Sequence, residues 1–157
     1  MTKRPESVAD ALVRRYGILL PADVRVDDVA FAERMIVHYG PLHGCQATLV
    51  TGGPWGIARI REDLPFDGQK RFAAAHELGH WLLHRGLRQE FRDDEESLAD
   101  YRGSKEEVEA NAFASALLLP ERLVRTYATA CDGEAIRAVA ADFAVGPVAS
   151  ARRLVSL

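Results

Sequence analysis

Two histidines four residues apart, with a glutamate directly after the first, stand at His76-Glu77-Leu78-Gly79-His80. On a helix, residues at that spacing share one face with Cβ atoms about 5–6 Å apart, so both imidazoles can be aimed at a single ion. Glu77 is turned by about 100° from His76 around the helix axis. From there its carboxylate can reach a water on the ion without ligating the ion itself, which is the place of a general base. Zinc held by three protein ligands keeps a fourth position for water and lowers that water's pKa to about 7; the carboxylate that takes the proton can pass it to a leaving amine. The chemistry implied is amide hydrolysis.

A third ligand must complete such a site. The longer pattern HExxHxxGxxH would need a glycine and a histidine where this chain has Leu83 and Gly86. His84 lies one further turn along the same helix, too far along its axis to close a tetrahedral site, and reads as a structural or supporting histidine. A carboxylate from a second helix is geometrically better, and Glu106, Glu107 and Glu109 all precede the apolar run that ends at Pro120. Glu106 and Glu107 also suit a solvated acidic first turn. Glu109 is preferred because Ala112, Phe113 and Ala116 follow it at spacings that set it beside a buried stripe, although spacing alone leaves all three open.

The elements that must position these residues are legible in outline. Gly68 to His84 is an unbroken helix-forming run with Phe72, Ala75, Leu78 and Leu82 on an apolar stripe. Ser104 with Glu107 three residues on forms a capping box, and Val108, Ala112, Ala116 and Leu119 continue a helix from Lys105 until Pro120. Upstream, a first helix runs from Pro5 to Gly17 and a second short one starts at Asp27-Asp28. Three strand-like runs, Met35–Tyr39, Gln46–Val50 and Trp55–Ile60, are separated by Gly40-Pro41 and Gly52-Gly53-Pro54 and predict a small three-stranded antiparallel sheet. The Gly52-Gly53 turn lacks the Gly-Lys-Ser/Thr ending of a phosphate-binding loop. The polar run Gln89 to Ser97 reads as a solvated connection.

The runs Arg71-Phe72-Ala73-Ala74-Ala75-His76-Glu77-Leu78-Gly79-His80-Trp81-Leu82-Leu83-His84 and Glu109-Ala110-Asn111-Ala112-Phe113-Ala114, leading into Leu117-Leu118-Leu119-Pro120, together resemble the ImmA/IrrE family of metallopeptidases. The similarity covers roughly Pro5 to Val124. It implies a zincin-like α+β fold, one Zn²⁺ held by His76, His80 and Glu109, and Glu77 as the catalytic base. It also implies a protein substrate, a helix-turn-helix transcriptional repressor whose cleavage releases mobile-element or stress-response genes. A non-hydrolytic, metal-binding regulator or toxin-like interaction protein is the alternative.

Composition sets the remaining bounds. A chain of 157 residues, 48% hydrophobic, suits one compact domain. A net charge of −3 gives no reason to expect nucleic acid or an anionic membrane as the main partner. The charged start of the chain and the two isolated cysteines, Cys45 and Cys131, fit a soluble protein of the reducing cytoplasm. Residues 1–130 are expected to form the metallopeptidase domain. Residues 131–157 are expected to form a helical, helix-turn-helix-like extension packed on it, in which Ala144 stands where the turn usually has glycine. With Arg137, Arg152 and Arg153 set against Glu134 and Asp142, the tail favours packing or substrate docking over DNA binding. His38, Tyr39, His43, Arg71 and Tyr101 are unranked candidates to stabilise an oxyanion.

Overall fold

Each strand-like run upstream of the HExxH helix turns apolar residues inward against that helix, and this shapes the whole assembly. The computed structural model describes residues 3–94 and 103–157. Helix α1 (Pro5–Arg15) starts with proline at its first position, and Gly17, in the left-handed region at φ 61°, follows its end. Helix α2 (Val26–Ala32) carries Asp27 and Asp28 at its positive end. Three strands follow: β1 (Met35–Gly40), β2 (Ala47–Val50) and β3 (Gly56–Arg61).

The sheet has four strands in the order β1-β3-β2-β4, and it is mixed, in place of the expected three-stranded antiparallel sheet. Strand β1 runs parallel to β3, Met35 beside Gly56 and Gly40 beside Arg61. Strand β2 is antiparallel to β3 and, on its other side, to β4 (Glu90–Asp93), with Ala47 opposite Asp93 and Val50 opposite Glu90. The fourth strand lies within the segment expected to be a solvated connection. Its exposure alternates with period two, Glu90 and Arg92 outward, Phe91 and Asp93 inward, a pattern hidden by the charge of the run. The rest of that segment, residues 95–97, lies outside the described residues, and so does Tyr101.

Met35, Ala47, Leu49, Ala58 and Ile60 are fully buried and form the inner face of the sheet against α3 (Asp67–His84). Trp81 of α3 lies over Gly56, where an added Cβ would come within 2.8 Å of the indole ring; its Nε1–H donates to the Glu33 carbonyl at 2.8 Å. On the far side, α4 (Lys105–Leu118) crosses α3 at Gly79, where a Cβ would meet Phe113 Cδ1 at 3.0 Å and the Ala110 Cα at 3.2 Å. The second variable residue of HELGH is therefore glycine for a packing reason: α4 needs the space of its missing methyl.

After Pro120 come α5 (Glu121–Tyr127), α6 (Gly133–Asp142) and α7 (Pro147–Ser156). Val139 and Phe143 join the common core, and Gly68 at the start of α3 lies against the backbone at Gly146. Arg153 Nε also donates to the Leu119 carbonyl at 2.9 Å. Ala144, in the turn between α6 and α7, takes φ 52°, the conformation that normally selects glycine. The fold is thus α+β with seven α-helices and one mixed sheet among the described residues, none of the helices being long and apolar enough to cross a membrane.

Candidate metal centre

The i, i+4 spacing of His76 and His80 on α3 sets their rings 4.6 Å apart, edge to face, with both fully buried. Glu107 approaches from α4 and bridges the pair: Oε2 is 3.2 Å from His76 Nε2 and Oε1 is 3.2 Å from His80 Nε2. Asp93 approaches from the end of β4, with Oδ2 3.5 Å from His76 Nε2 and Oδ1 3.9 Å from His80 Nε2. One donor atom from each of the four residues falls within 4.8 Å of the others.

The donors are also chemically unspent. His76 Nε2, His80 Nε2, both oxygens of Asp93, Oε2 of Glu107 and both oxygens of Glu77 are buried without a hydrogen-bond partner. Bare polar atoms in such number cost several kcal/mol each unless something charged meets them. Ligand atoms about 2.0–2.2 Å from a tetrahedral ion stand roughly 3.3–3.6 Å from one another, so the observed separations suit a divalent cation among two nitrogens and two carboxylates.

Supporting hydrogen bonds fix which nitrogens are free. His76 Nδ1–H donates to Asn111 Oδ1 at 2.8 Å, leaving the Nε2 lone pair aimed at the centre. His80 Nδ1 pairs with His84 Nδ1 at 3.0 Å, and His84 Nε2 with Glu109 Oε2 at 2.8 Å. The tautomers that leave His80 Nε2 as a donor to a metal make His80 the donor to His84, and His84 the donor to Glu109. Asn111, named in the family-like motif, thus orients one metal-facing histidine, and His84 orients the other.

Glu109 is accordingly not brought to His76 and His80; it supports His84, while its other oxygen is 3.7 Å from Lys105 Nζ. Glu107 occupies the place expected of it. The physical reason is that α4 has no single buried stripe: Ala110, Asn111 and Phe113 to Leu118 are all buried, so lying beside the apolar positions does not discriminate. Glu107 and Asn111 are one turn apart and share a flank of α4, whereas Glu109 is turned by about 200° from Glu107. An i, i+4 pair of polar residues on α4, set opposite the i, i+4 histidines of α3, is the signal that separates them. Asp93 is not legible in the sequence for the same reason as β4: it lies in a charged run whose alternation the composition hides. Of the oxyanion candidates, Tyr39 hydroxyl donates to Asp27 at 2.9 Å and Arg71 to the Val24 carbonyl at 3.1 Å, so both are engaged elsewhere.

Three carboxylates beside two imidazoles shift the ionisation of Glu77, His76, His80 and Glu107. Burial, then the charge of Asp93 and Glu107, pushes the Glu77 carboxyl well above the usual carboxylate range. Burial opposes charge on His76, but contact with Asp93 and Glu107 outweighs it and raises its pKa to about 9. Burial dominates at His80 and pushes it down. Glu107 is held below the ordinary range because the two imidazoles outweigh its partial burial. The site is short of positive charge, which a divalent cation would supply.

An HExxH helix, a carboxylate crossing from a second helix and a sealed, unsatisfied donor set define a metallopeptidase-type centre. The chain belongs to the peptidase family described as the IrrE N-terminal-like domain, which its residues 61–155 match, from the end of β3 into α7. His76, Glu77, His80, Asp93 and Glu107 all lie within that match. No curated protein matches the chain.

Proposed function

We propose that this protein is a zinc-dependent endopeptidase in which His76, His80 and Glu107 hold the metal, Glu77 is the general base, and Asn111, His84 and Glu109 orient the histidines. The observation that carries this reading is the convergence of unpartnered, buried donor atoms from α3 and α4 on one point. A cation held there supplies Lewis acidity, which polarises an amide carbonyl and makes water nucleophilic near neutral pH. Glu77 extends from the same turn of α3 with both oxygens free of hydrogen bonds, so it can take a proton from the attacking water and return it to the amide nitrogen as the C–N bond breaks. His84 and Glu109 keep the His80 ring in one tautomer through that cycle.

Membership of the family supports a protein substrate, and a helix-turn-helix repressor acting as a partner of this protein is the proposed target. The test is incubation of the zinc-loaded protein with such a repressor encoded beside it. Glu77→Gln is expected to retain metal and lose cleavage by at least 10²-fold, the usual worth of a general base. Cleavage that persists in Glu77→Gln would refute the mechanism. A second reading, a regulator that uses the metal only structurally, is favoured by one observation: four protein donors surround the centre, as in closed structural sites. It predicts that Glu77→Gln keeps full biological activity.

A further inference from the structure

Asp93 has no part in the hydrolytic scheme, yet like Glu77 it is a carboxylate at the centre with both oxygens unsatisfied. Its side chain is completely buried, neither oxygen has a hydrogen-bond partner, and it faces the nitrogens of His76 and His80 at 3.5 and 3.9 Å. A catalytic metal centre keeps one position open for water and substrate, whereas a structural one is filled by four protein ligands. Here the fourth donor is present and the centre is sealed, with His76, Glu77 and His80 all at 0% exposure. In this arrangement a peptide bond has no approach to Glu77, and Asp93 is one of the groups packed against the donor nitrogens.

The segment that brings Asp93 in is short and lies at the edge of the sheet. Strand β4 is four residues long and, among the described residues, is joined to β2 alone. Its two ends are marked by Thr51 N–H donating to the Gln89 carbonyl at 2.9 Å and Gln46 N–H donating to the Asp93 carbonyl at 2.7 Å. Between them Phe91 stacks on the His80 ring at 4.3 Å, so one residue of β4 covers a ligand and the next inward residue meets the metal position. Backbone pairing of that length is worth a few kcal/mol at most, about 0.5–1.5 kcal/mol per hydrogen bond. Without β4, the edge of β2 would offer unpaired backbone groups beside the metal centre, the feature that extended peptides bind by adding a strand.

We infer that β4 is a built-in stand-in for the substrate: it occupies the β2 edge that an extended peptide would take, and Asp93 closes the metal centre as a fourth protein ligand in the resting protein. The inference rests on the metal-centre reading above and adds its regulation: the enzyme is latent until β4 leaves β2. It also assigns the substrate's bound form, an extended segment paired antiparallel to β2, not a helix.

The full chain loaded with Co²⁺ tests this without relying on cleavage. The visible absorption of Co²⁺ reports coordination, and azide, a small anionic ligand, reports an open position. Wild type is expected to show a four-coordinate spectrum indifferent to azide. Asp93→Ala, and the near-isosteric Asp93→Asn should the alanine variant not fold, are expected to bind Co²⁺ more weakly and to bind azide at least tenfold more tightly than wild type. The Thr51 amide, at the opposite end of β4, is expected to exchange its hydrogen faster in the metal-loaded variant than in wild type. A wild-type spectrum and wild-type azide response in the Asp93 variants, or azide binding by wild type as tight as theirs, would overturn the inference and leave the metal centre standing. Unchanged Thr51 exchange beside an opened azide site would overturn the substrate-strand part. Wild-type protein that takes up no Co²⁺ would overturn the metal-centre reading itself.

Discussion

Exchanging Glu107 and Glu109 in turn for glutamine gives the sharpest test of the centre, because the two residues sit on one helix, differ by one intervening residue and serve different histidines. Structural zinc sites with four ligands have apparent binding free energies of about 10–16 kcal/mol, so one ligand is worth roughly 2.5–4 kcal/mol, or about 10²–10³ in affinity. Glu107 stands 3.2 Å from both metal-facing nitrogens and carries a charge that Gln lacks, so Glu107→Gln should weaken zinc by that factor. Glu109 reaches the centre only through His84, at 2.8 Å, and losing such a support costs about 10–100-fold. Competition against a chromophoric chelator at fixed pH measures both. A Glu109→Gln loss equal to or greater than that of Glu107→Gln would show that α4 presents its other flank to the metal and would refute the ligand assignment.

Three further outcomes follow from packing and charge. Gly79→Ala should lower the urea midpoint, an overpacking cost of about 1–3 kcal/mol at the α3–α4 crossing, and weaken zinc binding as Glu107 is moved away; an unchanged zinc affinity would show that the crossing does not set ligand position. Ala144→Gly should stabilise the protein by about 0.5–1 kcal/mol in the same assay, because φ 52° strains alanine by more than the unfolded-chain entropy that glycine adds. The chelated protein should lose stability as pH rises. His76 has a folded pKa of about 9 against about 6.5 unfolded, so its contribution is complete below about 6.5 and is lost on passing through 9, on the order of 2–4 kcal/mol. Glu77, also raised on folding, acts in the same direction from lower pH, and a flat stability profile between pH 6.5 and 9 would contradict the His76 shift.

The HExxH helix could be read directly because its period, its glycine and its ligand spacing all describe one rigid element, and the structure places Asp67–His84 where the residues predicted. Ser104 likewise marks the start of α4, its Oγ accepting from Glu107 N–H at 3.3 Å, while the Glu107 carboxylate, which a capping box would turn back to Ser104, faces the histidines instead. Facing directions were harder. A helix buried on nearly every side gives no hydrophobic stripe from which to read which glutamate points inward, so spacing favours Glu109 although Glu107 faces the histidines. Sheet order was not local information either: β1 pairs with β3 in parallel, across the whole of β2, and nothing in Met35–Gly40 specifies its partner. Strand β4 was concealed because two of its four residues are charged and outward while a third, Asp93, is charged and inward. A buried acidic residue can be recognised only once the histidines that face it are in place.

The chain of contacts from His80 through His84 to Glu109 has a meaning beyond alignment. His80 is sealed from solvent, but Glu109 is 18% exposed and lies 3.7 Å from the ammonium of Lys105, whose side chain is 75% exposed. The interior donor is therefore isolated from water yet electrically connected to the surface of the molecule. Neutralising Lys105 would let Glu109 draw the His84 proton more strongly and, one link further in, make His80 a richer electron donor, with no backbone atom having moved. Lys105, exposed as it is, thus stands three contacts away from a nitrogen that faces the metal position.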